Sequence, residues 1–146
     1  MEQSMLDQIN PNQSSDSGQY PFCEGVLIID DEKDIRESLQ QFLEFDDYPV
    51  KIASNGSEGL STLSQLPLPQ LILLDLMMPV MDGWAFAEAL RAQPILSGCP
   101  VVVMSAFSER ADSILSQGVL QKPIHLDKMT ALIQKFVKRR SSLDVE

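Results

Sequence analysis

The chain is short of cysteine, of basic charge and of any long apolar run, and each shortage closes off a class of function. Cys23 and Cys99 are the two cysteines among 146 residues. They are too few for a disulfide framework and do not sit in a metal-like spacing. A reducing cytoplasm is the expected compartment. Eleven Lys and Arg stand against 21 Asp and Glu, a net charge of −10. That balance argues against sequence-independent nucleic-acid binding and against an anionic membrane surface. No apolar run approaches the roughly 20 residues of a membrane span. The first residues lack the basic start and apolar stretch of a secretory signal. There is no internal repeat.

What is present fits one domain. Residues 1–22 are rich in Ser, Gln, Asn and Asp and read as a disordered leader. Residues 23–140 read as the folded domain, and 141–146 as a frayed tail. Inside the domain, apolar runs alternate with helical patterns. "GVLIID" (25–30) and "LILLD" (71–75) are continuous apolar runs, as expected of strands buried on both faces. "YPVKIAS" (48–54), "CPVVVMSA" (99–106) and "VLQKP" (119–123) complete five expected strands. Between them, Ile35, Leu39, Phe42 and Leu43 form one helical stripe, and Leu60 and Leu63 a shorter one. A third helix is expected over 82–93 with Asp82 as its N-cap. A fourth is expected over 108–118, with Ser108 as cap and Gly118 as stop. The fifth, over 126–140, carries Met129, Leu132, Ile133, Phe136 and Val137 on its apolar face. Five β-α units imply an α/β fold, a doubly wound (βα)5 parallel sheet with helices on both faces.

The polar residues then fall into line. The first strand ends in Asp30 and Asp31, the third in Asp75, the fourth in Ser105 and the fifth in Lys122. In such sheets ligands bind beyond the carboxyl ends of the strands. Three carboxylates gathered there would repel one another and raise one another's pKa. A lysine and a bound divalent cation would relieve that, and hard oxygen ligands point to Mg2+. Such a site suits phosphoryl transfer, with a carboxylate as nucleophile and cations balancing the transferred oxygens.

"VLIIDDE", "LILLDLMMPVMDGW", "VVVMSA" and "LQKP", in that order and each at a strand end, carry a resemblance. Over about residues 25–139 the chain resembles the receiver domain of two-component response regulators. The resemblance implies a flavodoxin-like strand order 2-1-3-4-5. It implies that Asp75 is the phosphoacceptor, Asp31 a direct metal ligand, and Asp30 an acidic neighbour acting partly through metal-bound water. Met77 matches the position whose backbone carbonyl binds the metal, Ser105 the switch hydroxyl with Ala106 beside it, and Lys122 the lysine followed by Pro123. Gly83 fits the tight turn into the third helix. Mg2+ is the implied cofactor, with Mn2+ as a substitute. The implied partners are a histidine kinase or histidine phosphotransfer protein upstream and a protein partner downstream, with no nucleic acid and no membrane. The expected function is a stand-alone cytoplasmic receiver in a histidine-to-aspartate phosphorelay. It is not an enzyme beyond its own phosphotransfer and slow autodephosphorylation.

Plainer readings compete at single residues. Asp30 or Asp31 alone would cap the first helix, Lys122 alone would snorkel from a strand end, and His125 reads as a solvated loop residue. Met77, Met78 and Met81 read as loop and core packing, and Trp84 as packed with one side to solvent. Lys138, Arg139 and Arg140 suit a helix C-terminus. The functional reading rests on co-occurrence. Two departures from the family pattern stand out. Val119 occupies the position where receivers usually carry an aromatic switch residue. Only 17 positions separate Ser105 from Lys122, which predicts a shortened fourth helix. A helix over 108–117 spans roughly 15 Å, barely retracing a strand of about 17 Å. These departures favour an alternative, a receiver-fold interaction module that no longer switches. A further alternative, an aspartate-nucleophile phosphatase, would place a second Asp two residues after the nucleophile, where Met77 stands. Met77 and Phe107 also flank the implied path of a hydrolytic water, and neither holds water through a strong hydrogen bond.

Overall fold

The apolar runs become strands and the apolar stripes become helices. The computed structural model describes residues 23–65, 67–106 and 116–139. Five strands, β1 (Val26–Ile29), β2 (Val50–Ala53), β3 (Leu71–Asp75), β4 (Val101–Ser105) and β5 (Gly118–Gln121), pair in the order β2-β1-β3-β4-β5. Every pairing is parallel. Among the described residues there are four α-helices, α1 (Lys33–Phe45), α2 (Gly56–Thr62), α3 (Gly83–Arg91) and α4 (Leu126–Phe136), with one 3-10 turn at Leu96–Gly98. The leader, the tail, Phe107 and most of the segment expected to be a short helix between β4 and β5 lie outside the described residues.

The central strands are apolar on both faces because both faces are covered. Leu27 and Ile29 of β1, Ile72 and Leu74 of β3, and Val101 and Val103 of β4 pack with Phe86 and Leu90 of α3. Their alternates, Val26, Ile28, Leu71, Leu73, Val102 and Met104, pack with Leu39 and Leu43 of α1 and Met129 and Ile133 of α4. A one-residue slip of β3 would exchange these faces, so the register is strongly specified. The expected stripes are the ones buried. Ile35 and Phe42, and Leu132 and Phe136, sit at the edges of their stripes and are partly covered.

Helix ends follow local capping chemistry. Asp82 caps α3 as expected, its Oδ1 accepting from Ala85 N at 2.9 Å. Asn55 caps α2 by accepting from Glu58 N, and the Glu58 carboxylate accepts from Ser54 N, one residue before the cap, a pairing that the apolar pattern did not reveal. Two expectations are corrected. The last helix stops at Phe136 rather than 140, with Val137 already extended. There Lys138 N donates to Gln70 Oε1, and Arg139 pairs with Asp46 at 2.9 Å and stacks over the Tyr48 ring. Those tertiary partners draw the chain off the helix axis. Gly118 does not end a helix but opens β5, paired with Val102, because Gln117 is already captured by β4. Its N–H donates to Val101 O and its side-chain oxygen accepts from Val101 N.

Candidate functional site

The parallel register sets the ends of the central strands at one level. Ile29 lies opposite Leu74, Asp75 opposite Met104, and Ser105 opposite Gln121. Asp30 therefore leaves β1, Asp75 ends β3, Ser105 ends β4 and Lys122 leaves β5 along a single edge. The fold thus brings together residues up to 92 positions apart.

Asp30 is fully buried, Asp75 is 4% exposed and Ser105 is 2% exposed. Asp30 does not cap α1. Its Oδ1 accepts from Glu32 N at 2.9 Å, which locks the turn out of β1, and the N-cap Glu32 makes no side-chain cap bond. Arg36, one turn into α1, donates to the Asp30 carbonyl at 2.8 Å and ties that helix to the strand end. Carboxylate oxygens of Asp30, Asp31 and Asp75 all lie within 4.8 Å of one another. Lys122 Nζ reaches Asp30 Oδ2 at 3.1 Å, Asp75 Oδ1 at 3.3 Å and Glu32 Oε1 at 3.4 Å. Its backbone N–H donates to Ser105 O, and the Lys122–Pro123 peptide is cis.

The electrostatics follow from this crowding. Burial, then the charge on Asp30, pushes the Asp75 carboxyl up to about 7; Lys122 opposes the shift and a hydrogen bond shared with Asp31 adds to it. Burial alone would lower the Lys122 pKa, but Asp30 and Asp75 outweigh it and raise the value. A buried carboxylate that holds its proton so tightly, with two more beside it and one lysine among them, is a site short of positive charge. Three hard oxygen donors within mutual reach fit a Mg2+ ion, which prefers carboxylates and retained waters.

The loop after β3 is fixed by α3 and α2. Gly83 N donates to Leu76 O, and a Cβ on Gly83 would stand 2.7 Å from the Asp75 carbonyl oxygen. Only glycine permits that approach without moving the strand end. Gly56 N at the start of α2 holds Met81 O. Met77 is 51% exposed, whereas Met78, Met81 and Trp84 pack in part against the core. His125 is exposed at the start of α4 and makes no cap bond. Val119 is 39% exposed, Ala106 closes the described end of β4, and Phe107 lies outside the described residues.

The residue that sequence reasoning passed over is Glu32. It stands in "VLIIDDE", yet its contact depends on where Lys122 arrives, 90 positions later. No local pattern signals such a pairing.

The family model described as the response regulator receiver domain matches residues 26–134. The chain is 34% identical over 123 residues to response regulator Rre1 of Synechocystis sp., an alignment covering 80% of this chain and 53% of that protein. It is 35% identical over 122 residues to transcriptional regulatory protein PrrA of Mycobacterium tuberculosis, covering 80% of this chain and 51% of that one. The chain thus spans about half the length of the curated relatives it matches. Among solved structures, response regulator protein TrrA of Thermotoga maritima, in complex with Mg(2+)-BeF, superposes with a TM-score of 0.67 at 25% identity, covering 75% of this chain and 96% of that one. Receiver domains are in general signalling modules rather than enzymes, receive phosphoryl groups from histidine kinases or phosphotransfer proteins, and bind Mg2+ at an acidic cluster. By its family match, its relatives and its five-stranded sheet, the chain belongs to the response regulator receiver domain family.

Proposed function

We propose that this domain accepts a phosphoryl group from a phosphohistidine on Asp75 and signals through protein contacts. The observation that carries the reading is the meeting of Lys122 with Asp30 and Asp75, at 3.1 and 3.3 Å, beside a cluster of three carboxylates. An Asp75 oxygen attacks phosphorus, the bond from phosphorus to the donor nitrogen breaks, and an acyl phosphate forms. Lys122 donates an N–H to the transferred oxygens while Asp30 holds it in place. Ser105, at the end of the neighbouring strand, supplies a hydroxyl to the same oxygens. Asp31, Asp75 and the Met77 carbonyl would hold Mg2+, or Mn2+ in its stead, with Asp30 acting partly through bound water. Bound there, the ion supplies charge neutralisation of the phosphoryl oxygens. TrrA, the similar protein solved with Mg(2+)-BeF, supports this assignment by analogy.

Upstream, the partner is a histidine kinase or histidine phosphotransfer protein. Downstream, the net charge of −10 disfavours direct binding to a phosphate backbone and favours a protein partner. In the stand-alone form of this reading the domain itself makes that contact. The transcriptional role in the name of PrrA belongs to a protein of which the match covers 51%. Among the described residues no helix is long and apolar enough to cross a membrane. Free thiols at Cys23 and Cys99 suit the cytoplasm. Hydrolysis of the acyl phosphate is slow in this reading, because Met77 offers no strong hydrogen bond to an attacking water. A second reading, an interaction module that keeps the fold without switching, is favoured by Val119 in place of an aromatic.

The test is incubation with acetyl phosphate, with Mg2+ or with a chelator, followed by intact mass. A gain of one phosphate that needs Mg2+ is the expected result. No gain under either condition would leave the non-switching module.

A further inference from the structure

We infer that Glu32 is a positioning residue that holds Lys122 back from an arriving phosphoryl group, an inference that rests on the phosphoacceptor reading above. An ammonium has three N–H donors. Lys122 Nζ donates hydrogen bonds to Asp30 Oδ2 at 3.1 Å and Glu32 Oε1 at 3.4 Å, and Asp75 Oδ1 stands as its third carboxylate, an ion-pair partner at 3.3 Å. A phosphoryl group on Asp75 needs one of those donors.

The three partners differ in how readily they yield. Asp30 is fully buried and pinned by Glu32 N, so it stays. Asp75 is the reacting group, and the phosphoryl oxygens arrive on its own carboxylate. Glu32 reaches in from the surface, its side chain 60% exposed, and water can replace its contact. It also stands outside the cluster of Asp30, Asp31 and Asp75 that fits a cation, so an ion bound there leaves its charge in place. Glu32 therefore competes with the phosphoryl oxygens for one N–H of Lys122. It takes no part in the bond changes. With acetyl phosphate, the Asp75 oxygen bonds to phosphorus and acetate departs with the electron pair of the broken P–O bond.

The test compares phosphorylation rates of the wild type, Glu32→Gln and Glu32→Asp with acetyl phosphate in Mg2+, beside Mg2+ affinity by calorimetry. Glu32→Asp withdraws the carboxylate by one methylene and keeps the charge at the mouth of the site. Both variants should react about threefold faster, the factor an exposed ion pair commands, with Mg2+ affinity unchanged. Rates no faster than wild type in both variants would overturn the inference. A rise in Glu32→Gln alone would also overturn it, since general repulsion of an anionic donor would then suffice. So would a loss of Mg2+ affinity, which would make Glu32 a ligand of the ion. Failure of the underlying reading looks different, because the wild type would gain no phosphate or Asp75→Asn would still gain one.

Discussion

Replacing Asp75 with Asn removes a carboxylate that the fold keeps 4% exposed beside the buried Asp30. The fold pushes that carboxyl from its ordinary 3.8 up to about 7, burial contributing most and Asp30 next. An acid with a raised pKa binds its proton more tightly in the native state than in the unfolded chain. Its contribution to stability is thus fully present below about pH 4 and is lost as pH rises through about 7. A rise from 3.8 to about 7 is roughly a thousandfold in proton affinity, about 4 kcal/mol by pH 8. Asn keeps the shape and drops the charge, and Lys122 retains Asp30 and Glu32. In metal-free buffer, urea unfolding of wild type and Asp75→Asn should therefore diverge as pH rises from about 4 to 8, the variant becoming the more stable by several kcal/mol. Saturating Mg2+ should raise the wild type towards the variant. A stability difference that stays constant over that pH range would refute the reasoning, for it would mean that the site does not hold Asp75 against ionisation.

Other outcomes follow from the same geometry. Asp31→Ala should weaken Mg2+ binding and raise the metal-free melting temperature by relieving repulsion among the carboxylates; an equal Mg2+-induced rise in wild type and variant would remove Asp31 from the ligand set. Phosphorylation should change hydrogen exchange at Ser105 and across Val119 and Leu120 without any aromatic rotamer change, and unchanged exchange there would favour the non-switching module. The phosphoprotein should be long-lived in Mg2+. A Met77→Asn, Phe107→Glu double variant should lose phosphate about ten to a hundred times faster, a barrier change of roughly 1.4 to 2.8 kcal/mol, as followed by intact mass over time.

The strand ends were legible in the sequence because the sheet is parallel. A continuous apolar run that stops at a polar residue marks the carboxyl end of a buried strand, and a parallel sheet sets those ends on one edge. That is why Asp30, Asp75, Ser105 and Lys122 were readable without contacts. The Asp82 cap was legible for a local reason, since a short acceptor preceding an apolar stripe satisfies the first free N–H groups. What was not legible depends on distant partners. The end of α4 is set by Gln70 and Asp46, far away in sequence, which capture Lys138 and Arg139. The role of Gly118 is set by its pairing with Val102, and composition alone favoured a helix stop. Glu32 was invisible because its partner, Lys122, lies 90 positions away beyond another strand.

The most direct test of the central claim is the position of the phosphate. Wild type and Asp75→Asn, incubated with acetyl phosphate and Mg2+ and analysed by intact mass and by reductive trapping of the acyl phosphate followed by peptide mapping, should differ completely. The wild type should gain one phosphate, trapped at Asp75 alone, and the variant none. A phosphate gained by Asp75→Asn, or trapped at Asp30 or Asp31 in the wild type, would contradict the account.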